Sequence, residues 1–339
     1  MKLPAPRGPL GTALTDLLVH PPHGAHDLGD DVLARWRDTV AASADPLADD
    51  DLQLTLWTLY ALHYRGFEGV DDAWEWDPDL LRLRGVLEGA FEAALRGRVP
   101  VPTGVPAERE AVAGALFAMT APGPGPSVAR YVAKQADATQ AGEFLVHRSI
   151  YQLMEADPHT WAIPRLSGVP KAALVEVQSD EYGGGRPERM HSALFARTMR
   201  GAGLVDEYGY YVDRLPAVTL AALNLMSLLG LHRRLRGAIA GHLAAFEMTS
   251  SLPNRLYGDG FRRLGHDAGT TEYFDEHVEA DAVHEQIAGR DLAGALGELE
   301  PELVPDILFG AAACLYLDDL VGEHLLAAWS AGSSSLRAA

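Results

Sequence analysis

The chain has a single cysteine, Cys314, in 339 residues. It lies in the apolar run Leu308–Leu317, so it reads as a lone buried thiol, and no disulfide framework can form within the chain. Positive charge is also scarce. Twenty-eight basic residues face 47 acidic ones, giving a net charge of −19 and a pI near 5.0. A phosphate backbone would meet repulsion, which excludes nucleic acid as a partner. No apolar stretch reaches the roughly 18 residues that a membrane span requires. The N-terminal MKLPAPRGPLGTAL lacks the apolar core of a signal peptide. These absences predict a soluble, cytoplasmic protein with no membrane partner. Strand signals are nearly absent as well.

What is present is a helical pattern. Apolar residues make up 47% of the chain and recur at three- and four-residue spacing almost throughout, which predicts an all-α fold. Helices are expected at Leu10–Val19, Asp30–Ala44, Asp51–Tyr64, Asp77–Arg96 and Glu108–Met119. Further ones are expected at Ala133–Glu155, Lys171–Tyr182, Pro187–Gly201, Ala217–Leu228 and Leu231–Met248, then Pro253–Leu264, Thr270–Ala288 and Val304–Trp329. The strongest loop signal is APGPGP, Ala121–Pro126. It suggests an N-terminal helical lobe over 1–125 and a catalytic helical bundle over 126–339. The small, polar tail Ser330–Ala339 reads as frayed.

Four segments carry residues suited to metal chemistry. In TEYFDEHVEADAVHE, Thr271–Glu285, helical geometry places Asp281 about 40° from His277 and His284 about 20° to its other side. Two imidazoles and a carboxylate then share one stripe, although a charged exposed helix would also explain the segment. In DEYGGGRPERMHSALF, Asp180–Phe195, Glu181 ends a helix, three glycines break it, and His191 follows one turn into the next. The glycines can let backbone approach a ligand, or simply turn the chain; the phosphate-loop pattern is missing. In GHLAAFEMTSSLPN, Gly241–Asn254, Glu247 sits among apolar residues, where an unpaired charge is expensive. In YQLMEADPHTWAIPRL, Tyr151–Leu166, Glu155 closes a helix at the end that disfavours a carboxylate. Asp157, His159 and His147 compete with it as candidates.

Taken together and in this order, the four segments resemble the haem-oxygenase-like di-iron oxidase and oxygenase family, the iron-containing redox enzymes. The resemblance covers about residues 127–330 and rests on Glu155, Glu181, His191, Glu247, His277, Asp281 and His284. It implies a haem-oxygenase-like helical bundle with an N-terminal helical extension. A haem needs only one or two axial ligands, so it explains this donor set poorly. Ferritin-like bundles take a Glu-x-x-His pair from each of two helices; here Glu181 and His191 stand ten positions apart, and the closing triad His277, Asp281 and His284 takes the place of the other pair. Four carboxylates balance two ferrous ions, and mixed imidazole and carboxylate ligation suits iron or manganese.

The resemblance thus implies two Fe (Fe2+/Fe3+) as cofactor and O2 as co-substrate, with Glu181 as the bridging, catalytic carboxylate. Glu155, His191 and His284 are assigned mainly to one iron, and Glu247, His277 and Asp281 to the other. It further implies an oxygenase acting on a small amine, amino-acid-like or fatty-acid substrate in specialised metabolism, with N-oxygenation favoured. Such an enzyme draws on an external electron donor, and a homodimer is allowed. The alternatives are oxidative decarboxylation, C–C cleavage, a mononuclear iron enzyme, or an iron-binding helical protein without catalysis.

Overall fold

The computed structural model describes residues 1–22, 30–123 and 125–338, without the side chains of residues 279–282. Among the described residues no strand occurs and every regular element is helical, as the apolar periodicity requires. No described helix is long and apolar enough to cross a membrane.

Contacts divide the chain into two units. The first comprises Met1–Arg98, Gly209–Asn224 and Arg337–Ala339. Its helices are α1 (Pro9–Leu18), α2 (Asp30–Ala41), α3 (Asp50–Ala61) and α4 (Pro78–Arg98). The apolar α3 is buried on all sides from Leu52 to Ala61. Its start is fixed by Asp49, whose carboxylate accepts from the backbone N–H groups of Asp51 and Leu52, satisfying donors that a helix leaves open. Asp51 in turn caps α1, accepting from Leu10 N at 2.8 Å and Gly11 N at 2.9 Å.

The second unit comprises Val99–Tyr208 and Leu225–Leu336. It holds α5 (Arg109–Met119), α6 (Val128–Lys134), α7 (Ala138–Gln152), the short α8 (Asp157–Thr160), α9 (Gly168–Glu181) and α10 (His191–Gly201). The helix α11 (Ala217–Leu231) enters it, and α12 (Arg236–Met248), α13 (Ser251–Arg263) and α14 (Ala268–Gln286) follow. A π-helical stretch, Ile287–Gly294, leads into α15 (Ala295–Leu299) and the long α16 (Val304–Ser330).

Three features differ from the sequence expectation. The helix α5 falls in this unit and not with the N-terminal helices, because Val112, Ala113 and Leu116 are buried and Arg109 Nε donates to the Arg290 carbonyl at 3.1 Å. The stretch expected as one helix over Ala133–Glu155 is broken after Lys134, and α7 restarts from a capping box between Asp137 and Gln140. The C-terminal tail is pinned, not frayed. Glu143 on α7 accepts from Trp329 Nε1 at 2.8 Å, from Ser334 Oγ at 2.5 Å, and from both the backbone and the hydroxyl of Ser335 at 2.9 and 2.7 Å.

The pair α12 and α16 crosses closely because glycines face backbone. A Cβ on Gly241 would overlap the Ile307 carbonyl, and one on Gly310 would overlap that of Ala238. This crossing holds the helix that carries Glu247.

Candidate metal centre

Glu155 does not lie within a helix. It stands in the turn beyond α7, directly before Ala156, whose backbone is left-handed at φ 77°. That conformation is costly for a residue with a Cβ and persists only where surroundings enforce it. Here the Ala156 carbonyl accepts from Gln178 Nε2 at 2.9 Å, and its N–H donates to Tyr151 Oη at 3.4 Å. Glu181 is the last residue of α9. The turn after it uses Gly183 at φ 66°, where a Cβ would collide with the backbone of Arg189 and Met190. This tight return makes His191 the first residue of α10 and sets its Nδ1 2.9 Å from Glu181 Oε2.

Glu247 comes one residue before the end of α12. His277 and His284 both project from α14, seven positions and so about 10 Å apart along its axis. The Nδ1–H of His277 donates to the Tyr273 carbonyl at 2.7 Å, which leaves Nε2 on the inner side, 3.6 Å from Glu155 Oε1. The Tyr273 hydroxyl donates to that same Glu155 Oε1 at 2.9 Å. His284 is turned the other way. Its Nε2 meets Asp180 Oδ2 at 3.1 Å, and its Nδ1 lies 3.5 Å from Glu247 Oε2 and 4.0 Å from Glu181 Oε1.

Two groups of potential donors result. Glu155, Glu181, His191 and His277 form one; Glu181, Glu247 and His284 form the other. Within each group the donor atoms lie within 4.8 Å of one another, and every member is buried. Glu181 is common to both. The two α14 histidines are exchanged relative to the expected partition: His277 joins Glu155 and His191, whereas His284 joins Glu247. Their separation along one helix axis dictates this, since each reaches only the carboxylates level with it. The Asp281 side chain lies outside the described residues.

The donor set fits metal ions on grounds independent of any ion being present. Glu155 Oε2, His191 Nδ1 and His284 Nδ1 are buried and make no hydrogen bond among the described residues. The 2.9 Å approach of His191 to Glu181 fails as a hydrogen bond on direction, not on length. Buried polar atoms are rarely left so, and these converge. Three carboxylates and three imidazoles also match the ligands that iron or manganese takes. Without metal, the electrostatics pair acid with base. Burial pushes the Glu181 pKa up, but His191, His277 and His284 outweigh it and bring it to about 2. Burial opposes charge on His284, yet Glu247, Asp180 and Glu181 lift its pKa to about 9. His191 is raised by Glu181 against its burial, while burial keeps Glu247 above the usual carboxylate range despite His284.

The competitors for Glu155 join neither donor group. His147 faces the C-terminal tail, with Nε2 3.1 Å from Ser335 Oγ. Asp157 accepts from Tyr182 Oη at 2.9 Å. His159 lines the same cavity as the ligands but joins neither group, and its Nε2 is 3.1 Å from His242 Nδ1. Two residues absent from the sequence reading support the centre, Asp180 and Tyr273. Each had a local signal: Asp180 precedes Glu181, and Tyr273 is one turn before His277.

Comparison with known proteins agrees with this geometry. The profile of a family described as iron-containing redox enzymes matches residues 142–319, more than half of the chain. That span contains all seven sequence-selected residues. A nitrosourea synthase from Streptomyces achromogenes subsp. streptozoticus is 29% identical over 161 residues, which is 47% of this chain. The matched region spans about a third of that relative's length, 34%.

Proposed function

This chain belongs to the iron-containing redox enzymes, and from that premise we propose that it is an O2-activating non-haem di-iron oxygenase that N-oxygenates a small amine or amino-acid-like substrate in specialised metabolism. The observation that carries the reading is the sharing of Glu181 between two buried donor groups. One carboxylate with both oxygens available can bridge two ions, and the remaining donors divide around it. Glu155, His191 and His277 would complete the first position; Glu247 and His284 would serve the second. Asp281, one turn before His284 on α14, is assigned to the second position from its spacing alone.

When bound, two irons supply the electrons that activate O2, and an external donor restores them. The chain does the rest. Tyr273 holds one oxygen of Glu155 and the outer nitrogen of His277, leaving their partner atoms directed inward. Tyr151, Leu243 and Phe246 wall the narrow space beside the ligands and limit water there. Neither lysine nor arginine lines that space, and an amine entering it meets carboxylate and amide acceptors. N-oxygenation is further supported by the matched relative, whose name describes the making of a nitrosourea, a compound with a nitrogen–oxygen bond.

Anaerobic Fe(II) titration of the full chain, followed by O2 uptake across a panel of small amines with mass detection of oxygenated products, tests the reading. Saturation near two irons per chain and a substrate-dependent gain of oxygen are expected. Saturation at one iron would sink the di-iron assignment, and O2 uptake indifferent to every amine would sink the N-oxygenation assignment.

A further inference from the structure

The cavity beside the ligands has polar groups that metal binding leaves unused. Gln178 stands on α9 one turn before Glu181 and is 3% exposed. Its Nε2 donates to the Ala156 carbonyl at 2.9 Å and to Thr160 Oγ1 at 2.6 Å. A carbonyl oxygen only accepts, so the Ala156 bond identifies which end of the amide is NH2. Oε1 is then an acceptor, buried and without a partner among the described residues.

His159 repeats the pattern from a different element. It is 1% exposed on α8, its Nε2 meets His242 Nδ1 at 3.1 Å, and its Nδ1 is buried without a partner among the described residues. Burial lowers the pKa of both imidazoles, that of His159 to about 4, so the pair is neutral near pH 7. One proton then lies between the rings. If His159 Nε2 donates it, Nδ1 accepts; if His242 donates it, Nδ1 carries a proton. Gln178 and His159 line the same space as Glu155, Glu181, Glu247 and His277. Two orphaned polar atoms from separate helices in one small cavity call for a partner of their own.

We propose that Gln178 Oε1 and His159 Nδ1 form the recognition subsite for the substrate's reacting amine, which enters as an uncharged primary NH2 group, donates to Gln178 and makes the complementary bond with His159. This rests on the N-oxygenase reading and adds the residues that select the nitrogen. Gln178 Oε1, which only accepts, makes no bond to a carboxylate oxygen. An ether or thioether oxygen or sulfur, lacking a donor, gains nothing from the amide.

The test uses the full chain loaded with Mn2+, whose paramagnetism relaxes protons held close to it. The probe is methoxyamine, a small NH2 compound that is neutral at pH 7, with dimethoxymethane as the donor-free control. Methyl protons of methoxyamine should be relaxed well beyond those of the control. Gln178→Met should weaken methoxyamine binding about tenfold, the equivalent of one lost hydrogen bond, with Mn2+ stoichiometry unchanged. His159→Phe provides a second variant if Gln178→Met loses its far-UV helical signal, and the two probes on the parent chain need no variant. Equal relaxation of both probes would show that the site makes no distinction for an NH2 group, and would overturn the proposal. So would unchanged methoxyamine affinity in folded variants. A chain that takes up neither Mn2+ nor Fe(II) would instead overturn the metal reading, and this inference with it.

Discussion

Asp180 Oδ2 lies 3.1 Å from His284 Nε2, and this contact decides which nitrogen of the ring is left for a metal. With Nε2–H donated outward, Nδ1 is the nitrogen turned toward Glu247 and Glu181, where a metal ion would take the place of its proton. A carboxylate in this place fixes the tautomer, orients the ring and makes it a stronger ligand. Asp180 is 61% exposed as a side chain, so its worth lies in direction, not in net stability.

Replacing Asp180 by Ala should therefore lower affinity for the second metal by about 10- to 100-fold, the usual cost of losing such a partner. Asp180→Asn keeps an acceptor oxygen and should fall between. Glu176→Ala, another exposed carboxylate on α9, removes the same charge without the contact and should match the parent. Anaerobic Fe(II) titration separates these cases. Equal losses in Asp180→Ala and Glu176→Ala would reduce Asp180 to a surface charge.

Tyr273 serves the other donor group in two ways at once. Its carbonyl holds His277 Nδ1 and its hydroxyl holds Glu155 Oε1. Tyr273→Phe preserves the first and deletes the second. The ring remains packed 4.3 Å from His277 and 5.1 Å from Phe195, so the fold should persist with a stability change of about 1–3 kcal/mol from the unpaired buried oxygen. Fe(II) affinity at the first position should fall while the second is retained. Loss of both positions together would mean that the hydroxyl supports the whole bundle and not Glu155 alone.

The helices were legible in the sequence because their apolar spacing is local information. The identities of six described donors were legible too, since buried carboxylates and imidazoles are scarce and ordered along the chain. The pairing of those donors was not. Whether His277 joins Glu155 or Glu247 depends on how α14 lies against the turn beyond α7 and the end of α12, and no local spacing encodes that. The break before α7 was missed because the Asp137–Gln140 capping box was read as helix interior. The pinned tail was missed for the converse reason: Ser334 and Ser335 look like disordered residues until Glu143 is brought to them.

The α12–α16 crossing offers a prediction in which one substitution has opposite signs. Gly241→Ala places a methyl group 2.7 Å from the Ile307 carbonyl carbon and 3.0 Å from its Cα, both rigid backbone. The helices must separate, and overpacking of this kind costs about 1–3 kcal/mol. Gly85→Ala on α4 meets nothing within 4 Å and lies exposed, so the gain in helix propensity should stabilise by up to about 1 kcal/mol. Urea midpoints of the two variants should bracket the parent. A Gly241→Ala midpoint at or above the parent value would show that the crossing is not tightly packed.

The last prediction concerns pH and the tail. His147 is 4% exposed, and its Nε2 is held at Ser335 Oγ. Burial lowers its pKa to about 3, with the positive field of His324 adding to burial and Glu143 opposing it. Arg148, next along α7, acts in the same direction as His324. In the unfolded chain an imidazole titrates near its ordinary value of about 6.5. Between about 3 and 6.5 the unfolded chain binds the proton and the folded chain does not, so stability rises with pH across that window and falls on acidification. The loss is at most about 1.4 kcal/mol per pH unit for this one site, or roughly 2 kcal/mol between pH 6.5 and 5. Glu143 reinforces its own pairing: burial raises its pKa, but the serines and Trp329 outweigh this and keep it ionised to lower pH. His147→Gln retains a hydrogen-bonding group for Ser335 but cannot titrate. Urea unfolding at several pH values from 7.5 to 4.5 should therefore show a shallower acid slope in His147→Gln than in the parent. Parallel slopes would mean that His147 takes up its proton equally well in the folded chain, and that the tail contact opens to admit it.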